Sequence, residues 1–255
     1  MTAYIVIFLA GIVAGAINSI AGGGTLISFP ALLWLGRDPI MANATNTVAI
    51  WPGSLAGAYG FREELSTIKR WLYLLVVPSL LGGALGGWLL LRTPTSTFER
   101  LVPILILGAT VLLALQDFIS KLLRPSPPTT DNRQPTTAAL LATLFFQFLV
   151  ALYGGYFGAG MGILMLAALG LIGLTDMHQM NGVKNVLAVC INGIAAIYFV
   201  FAQSVVWTDV AVMMAGTIVG GFAGARLARK LGRTFVRRFV IFIGFAMALL
   251  LWLRR

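Results

Sequence analysis

The sequence predicts an all-α, polytopic integral membrane protein. Three observations carry that prediction: the composition, a series of apolar runs broken by glycine clusters, and a second half that echoes the first. Of the 255 residues 59% are hydrophobic and 10% charged, with a mean hydropathy of +0.92. Soluble domains carry roughly a quarter charged residues, so polar surface is too scarce here to cover a water-soluble sphere. The same balance excludes a disulfide-stapled secreted protein, since Cys190 is the single cysteine. It also excludes nucleic acid as a partner. The net charge of +10 comes from cations that fall between apolar runs, where they act as topology signals.

A helix crossing the bilayer core needs about 20 apolar residues, and fewer suffice for one that enters halfway. The runs read as helices at Ala3–Ala21, Thr25–Leu35, Asn43–Phe61, Trp71–Leu91 and Leu101–Ile119. After a polar stretch they resume at Thr136–Phe157, Ile163–Leu174, Asn181–Val206, Val210–Ala225 and Phe239–Leu253. The first run opens Met1-Thr2-Ala3-Tyr4 without a basic residue, so it reads as part of the mature fold rather than a signal peptide. Two runs, Thr25–Leu35 and Ile163–Leu174, are too short to cross alone, and each follows a glycine cluster. They are expected to be broken or re-entrant helices. Between the two series, Lys121–Pro135 is rich in proline and polar residues, which excludes a continued helix.

An ungapped offset of 138 residues lays Ala21-Gly22-Gly23-Gly24-Thr25-Leu26 on Ala159-Gly160-Met161-Gly162-Ile163-Leu164. It also pairs Asn43 with Asn181, Val48 with Val186, Arg100 with Arg238, and Gly82, Gly83 and Gly86 with Gly220, Gly221 and Gly224. The organisation that follows is a first membrane repeat over 1–120, a cytoplasmic linker over 121–135 and a second membrane repeat over 136–255. Each half holds five segments, an odd number, so the second enters the membrane inverted. Inverted repeats are recurrent in secondary transporters, whose substrate site lies near the midplane between the repeats. One side collects Arg62, Lys69, Arg70, Lys121, Arg124, Arg133 and the basic stretch Arg226–Arg238, read as a loop; the other has Arg37, Arg92, Arg100, Arg254 and Arg255. The positive-inside rule makes the first group cytoplasmic and leaves both termini outside.

Candidate binding residues fall at matching positions of the two halves. Gly22, Gly23, Gly24 and Thr25 open the first short segment, and Gly158, Gly160 and Gly162 open the second. Glycine permits close backbone approach, and a helix start presents N–H groups to an anion. Close helix packing through small residues is the competing reading, and it is preferred for Gly82, Gly83 and Gly86. Asn43, Thr45 and Asn46 start the third segment, Asn181, Lys184 and Asn185 the eighth. Such residues can simply cap helix starts, yet at matched positions they place amide donors beside both glycine clusters. Lys184 is an ionisable group within a membrane segment, which reads either as a counter-ion for an anion or as a snorkelling lysine. His178, the only histidine, reads as interfacial, and no Cys, His or carboxylate set has metal-ligand spacing. Trp51-Pro52 and Cys190 read as packing elements. Trp71, Trp88, Trp207, Trp252 and Tyr4 read as an aromatic belt in contact with membrane lipid.

The segments Gly11–Pro30, Ala42-Asn43-Ala44-Thr45-Asn46, Gly158–Gly162 and Asn181-Gly182-Val183-Lys184-Asn185 make the chain resemble the sulfite exporter TauE/SafE family of membrane permeases. The resemblance runs over essentially the whole chain. It implies a transporter in the cytoplasmic membrane of a bacterium that moves sulfite, organosulfonates or other small anions, mostly outward. The second half departs from the first at Ala159 and Met161, and at Val183-Lys184 where the first half has Thr45-Asn46. That asymmetry favours an anion nearer Lys184.

The expectation is therefore a secondary transporter, not an enzyme, exporting a small sulfur-containing anion such as sulfite or sulfoacetate by alternating access. No cofactor or metal is expected, and a homodimer suits so small a permease. There is no Gly-x-x-x-x-Gly-Lys-Ser/Thr motif to bind ATP. Import of a small organic anion, a sulfur-transfer protein using Cys190 or His178, and a structural membrane subunit stand as the alternatives.

Overall fold

The computed structural model describes residues 2–20, 23–60, 69–122, 137–172, 174, 176–231 and 233–253. Among the described residues there are ten helices and no strand. They are α1 (Thr2–Ile20), α2 (Thr25–Trp34), α3 (Pro39–Gly60), α4 (Lys69–Arg92), α5 (Thr95–Leu122), α6 (Thr137–Tyr156), α7 (Met161–Leu171), α8 (Met177–Phe201), α9 (Trp207–Leu231) and α10 (Arg233–Leu253). Trp71–Arg92, Thr95–Gln116 and Gln179–Phe201 are long and apolar enough to cross a membrane. By contrast α2 and α7 have 10 and 11 residues. At 1.5 Å per residue each spans about half the bilayer core.

Several boundaries differ from the sequence reading, for identifiable reasons. The third helix starts at Pro39 rather than Asn43. Asp38 Oδ1 accepts the N–H groups of Ile40 and Met41 at 3.0 and 3.1 Å, and proline suits the first helical position. The eighth starts at Met177, where Asp176 Oδ1 accepts the Gln179 N–H at 3.3 Å. Asn43 and Asn181 therefore sit one turn inside their helices and cap nothing. The stretch Arg226–Arg238, expected as a loop, is helical on both sides of residue 232. Gly22, Arg62, residues 123–135 of the linker, Arg254 and Arg255 lie outside the described residues.

Glycine decides the closest packing. Helix α1 runs parallel to α9: Gly11 faces Met213 and Gly216, Gly15 faces Thr217, and Gly220 faces Ile12. Helix α4 runs parallel to α6 in the same manner, with Gly82 against Ala151 and Gly86 against Leu152 and Gly155. A β-carbon on Gly15 would lie 2.8 Å from the Thr217 α-carbon, and one on Gly86 2.8 Å from the Tyr156 nitrogen. Lipid offers no hydrophobic drive for helix association, so backbone approach through small residues supplies dispersion contacts instead. Helix α3 crosses α8, α4 also packs on α8 as α3 does on α9, and α5 lies against α10.

The core between these helices includes Phe29, Phe98, Phe157, Tyr153 and Tyr156 in edge-to-face contacts. The periphery is apolar: Phe201 is 84% exposed, Phe242 71% and Trp34 73%. A soluble surface would not present aromatic side chains so widely. Hydrocarbon would cover them without penalty.

Candidate functional site

The chain breaks its helical course before each short helix. Gly23, Gly158 and Gly160 have φ of 137°, 78° and 74°, which side chains with a β-carbon rarely adopt. The breaks lie inside the bundle, since Gly24 approaches the Ala14 backbone and Gly160 the Ala109 backbone of α5. Irregular backbone at that depth is tolerated where protein surrounds it or a cavity adjoins it.

The two starts differ in what their N–H groups do. Asn18 Oδ1 accepts from Gly23 and Gly24 at 3.1 and 2.9 Å, so donors of the first cluster are already taken by the protein. The sequence reading missed Asn18, although an asparagine just before a glycine turn is a plausible cap in itself. At α7 the N–H groups of Met161 and Ile163 turn back to the Gly158 and Gly160 carbonyls at 3.3 and 3.0 Å. The N–H groups of Gly160 and Gly162 have no partner among the described residues. Tyr153 steadies this turn by donating its hydroxyl to the Ala159 carbonyl at 2.6 Å.

Lys184 lies beside that second start. Its stem packs on Gly162, where a β-carbon would lie 3.2 Å from Lys184 Cδ. Its Nζ donates to Asn181 Oδ1 at 2.9 Å. The residue is half-buried and is directed along its own helix, so Gly162, Asn181 and Lys184 form one cluster. Asn185 is half-buried nearby on α8, and its side chain makes no hydrogen bond among the described residues.

In the first half Thr25, Asn43, Thr45 and Asn46 are all buried. Asn43 Nδ2 donates to the Tyr156 carbonyl at the end of α6, 2.9 Å away. Thr45 Oγ1 accepts the Val206 N–H at 3.0 Å, tying α3 to the connection before α9. Asn46 makes no side-chain hydrogen bond among the described residues, and the Oδ1 atoms of both Asn43 and Asn46 are buried without a partner. The structure thus unites Asn43 with the end of α6 and Lys184 with the start of α7. His178 falls in the first turn of α8, and its side chain lies outside what is described.

A second feature was not legible in the sequence. Arg37, between α2 and α3, grips Asp209 in the first turn of α9 through Nε and Nη2 at 2.7 and 3.0 Å. The Asp209 side chain is fully buried and that of Arg37 is 35% exposed. Beside it a cavity of about 740 Å³ is lined by Arg37, Asp38, Glu99, Arg100 and Leu251 among others. The α2–α3 connection, the start of α5 and the end of α10 therefore share one end of the bundle. Nothing among the described residues groups three His, Cys, Asp or Glu side chains as metal ligands.

Half-length helices meeting glycine breaks inside a lipid-faced bundle, with buried amides at those breaks, define a polytopic membrane transporter. The chain belongs to the sulfite exporter TauE/SafE family, whose sequence profile matches residues 7–251. It is 31% identical to a "Probable membrane transporter protein" of Haemophilus influenzae, over 95% of this chain and 91% of that protein. It is 25% identical to the "Probable membrane transporter protein YfcA" of Escherichia coli, over 95% and 87%. A Sinorhizobium "Probable membrane transporter protein ORF9" is 27% identical, over 95% and 90%. The family and these relatives are membrane transporters, not enzymes.

Proposed function

We propose that the chain is a secondary transporter that exports a small sulfur-containing anion, such as sulfite or sulfoacetate, by alternating access. The observation that carries this is the second half-helix start, where unpartnered Gly160 and Gly162 N–H groups adjoin the Lys184 stem. Free N–H groups, the positive end of a helix dipole and an ammonium suit an anion held away from water. Asn181 and Asn185 would add donors on the same side. Thr25, Asn43, Thr45 and Asn46, with Gly23 and Gly24, would form the opposite wall. Efflux of an anion down an inside-negative potential gains about 2.3 kcal/mol per charge per 100 mV, which suffices for export without ATP.

In this reading the two halves, 1–120 and 136–255, are inverted repeats sharing one transport path, joined by a cytoplasmic linker. Its support is the matched packing: α1 on α9 answers α6 on α4, and α3 on α9 answers α8 on α4. Within an inner membrane, the distribution of Lys and Arg supports an orientation with both termini outside.

The test is the melting temperature of purified protein with sulfite, sulfate, sulfoacetate, taurine or acetate, in wild type and Lys184→Ala. A ligand at 100 times its Kd adds about 2.7 kcal/mol. A sulfur anion that stabilises wild type but not the variant supports the site. A shift that survives in the variant removes Lys184 from it, and no shift from any anion counts against the substrate class.

A further inference from the structure

The Asn43–Asn46 face of α3 has a counterpart within the same chain. Asn181 and Lys184 lie 138 residues further on, and there the Lys184 ammonium satisfies Asn181 Oδ1 at 2.9 Å. In the first half the position of that lysine is taken by Asn46, and among the described residues no Lys or Arg donates to Asn43 Oδ1. Both residues are 1% exposed, and both Oδ1 atoms lack a hydrogen-bond partner. The orientation of Asn43 is fixed, because its Nδ2 donates to the Tyr156 carbonyl and so leaves the oxygen as acceptor. Residues three apart share a helix face, which puts the two amides on one side of α3. Tyr156 is the last residue of α6, so a negative helix end adjoins them.

A buried acceptor left unsatisfied bears the full cost of losing its water. An oxyanion offers these two oxygens only further acceptors; a positive charge is what they lack. We propose that the Asn43–Asn46 face, with the adjoining end of α6, binds a small monovalent cation where the second half uses the Lys184 ammonium. Divalent ions prefer carboxylates, and this place offers neutral amides and carbonyls. Half-helix ends and unwound carbonyls are general means of holding coupling ions in transporters. That the bound cation couples to anion movement rests on the export reading above; its binding does not.

The test is the melting temperature of the purified full-length protein in sodium, lithium, potassium, ammonium or choline chloride at fixed ionic strength. One small cation should raise it saturably over choline. Asn43→Ala should abolish the rise. Asn46→Lys, which rebuilds the second-half pair, should melt higher in choline and no longer respond; it carries the test should Asn43→Ala not fold. No response in wild type, as expected if water alone meets these oxygens, overturns the proposal, and so does a response that persists in Asn46→Lys. Anion flux from proteoliposomes separates the two readings. Flux equal in choline and in the active cation overturns the coupling and leaves export intact, whereas a cation response without any anion flux supports the site and overturns the export reading.

Discussion

Trp51 donates its indole N–H to the main-chain carbonyl of Val189 at 3.0 Å, and the two residues stand 138 positions apart. The same offset superposes the glycine clusters in the sequence. Two elements related by a two-fold axis bring a residue onto its own counterpart only where they meet that axis. The crossing of α3 and α8 at this pair therefore supports the inverted-repeat reading from side-chain geometry, independently of the glycine pattern.

Substitutions at that crossing should act on stability. Trp51→Phe keeps the ring and loses one hydrogen bond, which within membranes averages about 0.6 kcal/mol. Trp51→Ala opens a cavity as well and should lose about 3–5 kcal/mol. Unfolding midpoints in detergent check the order, and an alanine variant as stable as the phenylalanine one would contradict it.

The glycine interfaces give a sharper contrast. Gly15→Ala and Gly86→Ala drive a methyl group into the backbones of α9 and α6, and no flexible side chain is there to yield. Both variants should lose most of the monodisperse protein recovered in detergent. At Gly53 and Gly108 a β-carbon meets nothing within 4 Å, so Gly53→Ala and Gly108→Ala should be recovered like wild type. Equal recovery of all four would show that these close approaches do not hold the helices together.

How far the sequence led depended on the range of each interaction. Apolar runs located the ten helices of the described residues, because bilayer thickness fixes segment length locally. The glycine clusters announced the breaks before α2 and α7, since positive φ is a local demand. Helix starts were misplaced at Asn43 and Asn181 because hydropathy marks where apolar character begins, whereas Asp38 and Asp176 mark where hydrogen bonding begins. Asn18 as a cap, and Asp209 as the partner of Arg37 172 residues away, depend on how the chain folds back, which composition and spacing do not encode.

That Arg37–Asp209 pair should matter by asymmetry. Arg37→Ala leaves a fully buried carboxylate unpaired, for which about 3–5 kcal/mol is typical of buried pairs. The partial exposure of Arg37 brings the expectation down to about 2 kcal/mol. Adding Asp209→Asn to Arg37→Ala should restore much of the loss, because the stranded charge goes with it. A double variant no more stable than Arg37→Ala would mean that the arginine acts through packing.

The two half-helix starts can be told apart by one pair of variants. Asn18→Ala frees the Gly23 and Gly24 N–H groups and removes a cap worth about 1 kcal/mol. It should lower the melting temperature while leaving any sulfur-anion stabilisation unchanged, because the anion is proposed to sit at α7. Gly162→Ala should do the reverse. Its methyl meets the Lys184 stem at 3.2 Å, a flexible chain that can move aside, so the fold survives but the ammonium shifts from its place beside the α7 start. The melting temperature without ligand should stay near wild type, and the anion-dependent rise should shrink. If Asn18→Ala alone altered the anion response, the first half-helix would be the seat of the anion and Lys184 a structural partner of Asn181.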